Sequence, residues 1–337
     1  VVRLLQQNTL KLQVYYAILM CFVAVIVRLA YGCYCSKHFP ESTYHFHWDK
    51  EILYKMFGFA GWNFIGAASG VLRDQGGNIV INIFGGPSVN AAKGIAGQVN
   101  SAVLGFVNNF TIALNPQITK SYASGDFDYM MTLIYKGARL SFYMLLFLSL
   151  PILANTHYIL VLWLNMIPEH SVNFVQLTLI FAMCESISYP LITAMLATGN
   201  IKNYQLVVGG LQLLNLPISY ILLKLGFIPE TILVVAIVLS QLCLFARLIM
   251  LRRMINISFW QFTKKVYFNI IVVAILASIV PTFISFYVKE TFGSFLLISI
   301  VAVLCSSLSI YFVGCTKEER HKINLQVIKI RHKIMHQ

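Results

Sequence analysis

Charge is what this chain has least of. Asp, Glu, Lys and Arg make up 11% of its 337 residues, against about 25% in a soluble globular domain. So few charges could not cover the surface of a soluble protein of this length. Acidic residues are the rarer sign, 12 against 25 basic ones. Runs of alternating apolar and polar residues are missing, which argues against a membrane β-barrel. The seven cysteines, Cys21, Cys33, Cys35, Cys184, Cys243, Cys305 and Cys315, are scattered, mostly through apolar runs, and imply no disulfide framework. No phosphate-binding loop, dinucleotide fingerprint or catalytic triad is present, so neither enzymatic activity nor a cofactor is expected. A cleavable leader is also absent, and the chain opens on Val1, so an upstream portion is expected to be missing.

What is there is apolar. Hydrophobic residues reach 58% and the mean hydropathy is +0.74. Apolar runs close to the length needed to cross a bilayer as a helix alternate with short polar gaps. They predict an all-α polytopic membrane protein with about nine transmembrane helices, at 12–32, 52–84, 89–114, 134–154, 172–197, 204–224, 230–250, 266–288 and 294–314. No connection is long enough to fold as a separate domain.

Lys and Arg set the expected orientation. With alternate sides assigned along the nine spans, 18 of the 25 basic residues fall on one face, including Arg139, Arg247, Arg252, Arg253 and the tail from Lys317 to Lys333. Five fall on the other: Arg3, Lys11, Lys93, Lys224 and Lys289. Only Arg28 and Arg73 are left inside spans. The first face is therefore expected to be cytoplasmic, together with the C-terminus. The net charge of +13 is then explained by anionic membrane lipids rather than by nucleic acid. In the tail, Ile323, Val327, Ile330 and Ile334 recur at helical spacing, with Lys322, Lys329 and Lys333 elsewhere on the wheel. This reads either as a basic helix on the membrane surface or as a solvated tail.

One stretch breaks the apolar rule. Within GVLRDQGGNIVINIFGG, residues 70–86, Arg73, Asp74 and Gln75 precede Gly76 and Gly77 in the middle of a predicted span. At about 100° per residue, Asn63, Ala67, Gly70, Asp74 and Asn78 share one stripe, while Ile65, Val71, Leu72, Ile79 and Ile83 lie away from it. An ionised side chain at mid-bilayer costs about 2.5–3.5 kcal/mol on insertion scales, so such a face is expected to meet other helices or a watery cavity. In the next span Asn90, Gly94, Gly97, Ser101, Gly105 and Asn108 form a second stripe, with Gln98 and Asn109 at its edge. Close helix packing and a hydrogen-bonding path for a hydroxyl-rich solute are both compatible with it. Glu185 is a further acid in an apolar run, and Pro190 after it is expected to free a backbone carbonyl near Ser186. It is open to pairing with Arg73, to binding a coupling proton or cation, or to hydrogen bonding with nearby serines.

The run GWNFIGAASGVLRDQGGNIVINIFGGPSVNAAKGIAGQVNSAVLGFVNNFTIALNPQITKSYASGD, with LATGNIKNYQ further on, resembles the repeat opening of the multidrug/oligosaccharidyl-lipid/polysaccharide exporter superfamily, most nearly its bacterial O-antigen and capsule flippases. The resemblance implies a MATE-like helical bundle. Residues 1–50 would carry the last helix of an incomplete N-terminal lobe and a linker, 51–255 a six-helix C-terminal lobe, and 256–337 two additional helices and a basic tail. It further implies flipping of an undecaprenyl-pyrophosphate-linked oligosaccharide across the bacterial inner membrane by alternating access. Membrane lipids, that lipid-linked cargo and polysaccharide polymerase machinery are the implied partners. On this reading Arg73, Asp74, Gln75, Asn63, Asn78, Gln98, Asn108 and Asn109 line the cargo cavity. Arg73 meets the pyrophosphate, and Asp74 and Glu185 serve ion coupling.

Two rivals remain. A cation-coupled drug or metabolite exporter on the same fold would use Asp74 and Glu185. A membrane-embedded glycan polymerase or ligase would need an exterior loop carrying Arg and His, but NTHYILVLWLNMIPEHS lacks Arg. Cys33, Cys35, His38, His45 and His47 cluster in the first polar connection, yet their spacing fits no standard zinc site, and no metal is expected.

Overall fold

The computed structural model describes residues 2–42, 48–164, 166–321 and 324–325, leaving aside the side chains of 2–13 and 41. The surface-helix expectation for the tail and the histidines at 45 and 47 lie outside these residues. Among the described residues the chain is helical, with no strand. It divides into two compact units between Lys55 and Met56.

The first unit is dominated by α1 (Val2–His38), whose described side chains are exposed almost throughout, Arg28 among them. At its end His38 stacks on Tyr34 and donates from Nδ1 to the Tyr34 carbonyl at 3.0 Å.

The second unit contains most of α2 (Lys50–Ala123), α3 (Phe127–Ala154), α4 (Thr156–Trp163), α5 (Ser171–Ser186), α6 (Tyr189–Ala197), α7 (Lys202–Leu213), α8 (Asn215–Lys224), α9 (Thr231–Ile255), the short α10 (Phe259–Phe262), α11 (Asn269–Tyr287) and α12 (Phe292–Ser309). Short π-helical turns, Thr263–Phe268 and Ile310–Gly314, precede α11 and extend α12. Seven helical segments among the described residues are long and apolar enough to cross a membrane: Val14–His38, Phe127–Ala154, Ser171–Ala197, Lys202–Lys224, Thr231–Ile255, Phe259–Tyr287 and Phe292–Gly314. They coincide with seven of the nine expected spans. The other two expected spans are the arms of α2, whose polar stripes keep their hydropathy below that of the seven. The protein is thus an all-α polytopic membrane protein.

α2 is two helical arms joined at a non-helical residue. Gly86 sits at φ 74°, ψ −177°, a backbone region open essentially to glycine alone. The chain folds back there, because Arg73 and Asn78 before the bend line the same cavity as Lys93 and Asn100 after it. The turn into α3 uses a different device. Gly125 takes φ 73°, and Asp126 caps the new helix by accepting from the Tyr129 amide at 3.0 Å. Pro190 does what its missing N–H requires, separating α5 from α6 within one span.

Small residues set how α2 meets α7. A β-carbon on Gly66 would come within 1.9 Å of Gln205 Oε1, and one on Gly209 within 2.9 Å of Ser69 Oγ. Ile65, Val71, Leu72, Ile79 and Ile83 are exposed on the outer side, as the stripe predicts. The core lies where α3, α5, α6 and α9 pack, around Ile134, Phe174, Leu179, Leu191, Leu244 and Leu248. α11 and α12 pack on each other and on α3.

Polar residues tie the ends of the rods. Arg139, counted by sequence with the exposed basic face, is instead buried in α3. It donates to Glu319 at 2.7 Å and to the Gly314 carbonyl at 3.3 Å, fastening the end of the last span. At the opposite end Glu230, 2% exposed, precedes α9. His170 Nδ1 lies 2.7 Å from its Oε1, and Asn173 donates to the same oxygen at 2.9 Å. Burial disfavours the Glu230 carboxylate, but the bonds from Asn173, its own backbone and His170 outweigh that and hold its pKa below the ordinary value.

Two predictions follow from these joints. Gly86→Ala forces a side chain into the glycine-only region and should lower stability by about 1–3 kcal/mol, read as an earlier thermal unfolding of the purified protein in detergent. Because the Glu230 pKa is depressed on folding, its stabilisation is present above the ordinary carboxylate range and lost as pH falls through the folded value. Glu230→Gln should therefore lower the melting temperature at pH 7, by about 2 kcal/mol of stability. It should also flatten the loss of stability between pH 5 and 3; a wild-type acid slope in the variant would contradict the assignment.

Candidate functional site

Two adjoining cavities lie between α2 and the core helices. The larger, about 540 Å³, is lined by both arms of α2 and by α5, with Arg73, Asp74, Asn78, Asn90, Lys93, Asn100, Thr178, Glu185 and Tyr189 supplying its polar groups. The smaller, about 250 Å³, lies between the first arm of α2, α7 and α9. Asn63, Glu185, Tyr204, Gln205, Gln212 and Arg247 bring polarity to its wall. Glu185 borders both.

Arg73 is held rather than loose. Its side chain is 16% exposed, its Nε donates to Asp74 Oδ1 at 2.8 Å, and its guanidinium lies 5.3 Å from the centre of the Phe181 ring. The ring face adds a favourable contact with the cation and blocks one side of it. Asp74 is more open, 62% exposed at the side chain, so the pair turns its cationic member inward and its anionic member toward the cavity mouth. Lys93 enters from the second arm, its Nζ lying where a β-carbon on Gly77 would be only 3.0 Å away. Gly77 thus leaves room for an ammonium beside the guanidinium. Two like charges in one cavity repel unless an anion lies near them. Asp74 answers one, and Glu185 attracts Arg73 from α5 without touching it. None of the five ion pairs among the described residues includes Glu185.

The residues expected from sequence divide. Arg73, Asp74, Asn78 and Glu185 share the larger cavity, as do Asn90, Gly94 and Gly97 of the second stripe. Asn63 falls in the smaller one, where it accepts a 3.1 Å bond from Gln205 Nε2. Gln75 is exposed outside both cavities and bonds with Asn78 at 3.3 Å. Gln98, Asn108 and Asn109 are likewise exposed and line neither cavity. Gln98 and Asn109 lie on the flank of the second arm, where a rotation of about 100° turns a side chain from cavity to surroundings. Asn108 keeps the direction of the stripe but lies past Leu104, the last residue of that arm to line the larger cavity.

Lys93 and Arg247, assigned by sequence to opposite polar faces, both line cavities. A signal for each was present. Lys93 lies three residues after Asn90 and four before Gly97, on the polar stripe itself. Arg247 is followed by the apolar run Leu248–Leu251 before Arg252 and Arg253 end the helix, so it sits inside the span and not at its rim.

A third cavity, about 460 Å³, lies where α3 and α5 meet α11 and α12. Asn155, Gln176, Ser278, Thr282 and Ser285 contribute neutral polar groups to it. His157 and Glu290, 2.7 Å apart, stand at its edge.

Comparison of the chain with protein-family models, curated proteins and solved structures finds no match in any of the three.

The seat of Gln205 against Gly66 generates a test of the smaller cavity's wall. Gly66→Ala displaces the Gln205 amide and its bond to Asn63, and should cost about 1 kcal/mol. Gly58→Ala, in the same arm with open space around it, should be neutral or stabilise by up to about 1 kcal/mol through helix propensity. Paired thermal unfolding curves of the two variants check the contrast.

Proposed function

We propose that this protein translocates a lipid-linked oligosaccharide bearing a pyrophosphate headgroup, as the resemblance of its α2 region to O-antigen and capsule flippases implies. The observation that carries this reading is the pairing of Arg73 and Lys93 in one cavity of about 540 Å³ whose other polar groups are mostly neutral. A pyrophosphate presents several acceptor oxygens and more than one negative charge. A guanidinium supplies a fixed fork of donors and an ammonium a mobile point charge. Asn78, Asn90, Asn100 and Thr178 add donors and acceptors suited to sugar hydroxyls. Asp74 at the mouth keeps Arg73 oriented when no cargo is bound and gives way to a stronger anion.

The reading extends to placement. The face carrying Arg252, Arg253 and the tail is cytoplasmic by its excess of basic residues, and the bilayer is the bacterial inner membrane. Polysaccharide polymerase machinery would receive the flipped product. The mechanism is alternating access, in which α2 and its polar arms form one wall of the path. A second reading, a cation-coupled exporter, is favoured by Asp74 and Glu185, two carboxylates on the same cavity.

The two readings part on charge. Arg73→Met and Lys93→Met should each weaken binding of undecaprenyl pyrophosphate to the purified protein on the order of tenfold or more, and the double variant should abolish it. In cells whose surface glycan depends on this protein, Arg73→Met should abolish the glycan at unchanged protein level. Normal glycan, or a cationic drug displaced by neutralising Asp74 with no effect of Arg73, would favour the exporter instead.

A further inference from the structure

The smaller cavity holds a charge that the function proposed for the larger one leaves unused. Arg247 is 1% exposed although its neighbours on α9 are apolar. It lies eight residues before the end of that helix, about 12 Å along the axis. Its Nε and Nη1 are buried and have no acceptor among the described residues. The Tyr204 ring, 6.0 Å from Cζ, covers one side of the guanidinium, and rings attract cations without accepting their in-plane N–H bonds. A guanidinium stays charged in proteins, and a buried charge with donors unmet is costly. The chamber it faces has room to meet them. One water needs about 10–15 Å³ on this measure, and the chamber measures about 250 Å³. Asn63, Gln205 and Gln212 offer amide N–H groups around the same space.

The charges around the two cavities do not balance. Arg73, Lys93 and Arg247 are three cations, and Asp74 and Glu185 are two carboxylates. Asp74 is bound to Arg73. Glu185 alone borders both spaces, so it can neutralise the Arg73–Lys93 side or the Arg247 side but not both.

We propose that the chamber around Arg247 is a second anion site, taking a small oxyanion such as phosphate, and that Glu185, shared by the two chambers, makes occupancy of one oppose occupancy of the other. An anion on Arg247 leaves Glu185 to the Arg73–Lys93 chamber and weakens anion binding there. By reciprocity, an anion on Arg73 and Lys93 leaves Glu185 to Arg247 and empties the second site. The second site stands on Arg247 alone and does not depend on what the larger chamber carries.

Calorimetric titration of the full chain with inorganic phosphate, in nanodiscs of neutral phosphatidylcholine, tests this. Arg73→Met/Lys93→Met protein should still bind one phosphate, and adding Arg247→Met should abolish the binding. Arg247→Lys, which keeps the charge and helps the chamber fold, should retain weakened binding. Glu185→Gln should tighten phosphate binding on the order of tenfold and convert opposed sites into two independent ones. If folded Arg73→Met/Lys93→Met protein binds no phosphate, or binds it equally well without Arg247, the second site is overturned. If Glu185→Gln leaves affinity and stoichiometry unchanged, the opposition is overturned. Arg247→Met protein that binds no phosphate would instead count against the Arg73–Lys93 chamber while leaving the second site standing. Repeating the Arg73→Met/Lys93→Met titration in phosphatidylglycerol nanodiscs separates sources. Retained phosphate binding identifies a free ion as the occupant, and lost binding identifies a lipid phosphate in the same site.

Discussion

A cation inside a bundle of apolar helices must be answered within a few ångströms, because neither hydrocarbon nor a packed core can solvate it. Much of this protein's polar architecture follows from that constraint. Arg73 is answered by its neighbour Asp74 and by the face of Phe181. Arg139 is answered by Glu319 and the Gly314 carbonyl. Lys93 and Arg247 are answered only in part, and each borders open space instead of side chains. The contrast separates structure from function: Arg139 is consumed in holding the last span to α3, whereas the partly answered cations keep donors free for something else.

The cavities exist because α2 folds back on itself. The reversal at Gly86 lays a stripe of Asn and Gly from the second arm beside the Arg-Asp pair of the first, and the glycines keep the space between them from being filled by side chains. On the other side of the first arm, Gly66 admits Gln205 and Gly209 admits Ser69, so α7 approaches closely and walls off the smaller chamber. The same residue type thus opens one cavity and closes the other. α5 stands at the boundary, and its single acid faces both spaces.

Much of this was legible in the chain before any coordinates. Seven apolar segments emerge as the expected helices because hydropathy and length are properties of a segment by itself. The outward set Ile65, Val71, Leu72, Ile79 and Ile83 follows from helical spacing alone, as does the shared stripe that takes Asp74 and Asn78 to one cavity. The carbonyl that Pro190 frees is legible too, because a missing N–H acts locally, although the separation of α5 from α6 is seen only in the structure. Legibility failed where the neighbour matters. Gln98 and Asn109 sit at the edge of the stripe, about 80–100° from Asn90, and turn away from the cavity, while Asn108 holds the stripe's direction beyond the last residue of that arm to line the cavity, Leu104. Arg139 and Arg247 were assigned to a polar face because they lie near the ends of apolar runs, and a count of charges has no depth.

The sequence by itself determined the class of protein, the helical segments and much of the polar face of each, since all of these depend on residues a few positions apart on one helix. By contrast Gly76 and Gly77, which weaken a helix locally, stay helical, and the reversal falls at Gly86. Only the tertiary structure decided which polar faces meet. It joined Lys93 to Arg73 across a hairpin, spent Arg139 on Glu319, and placed Glu185 between two basic chambers. A helix carries its own periodicity, but the partner of a buried charge is chosen by packing, and packing brings together residues that the chain keeps far apart.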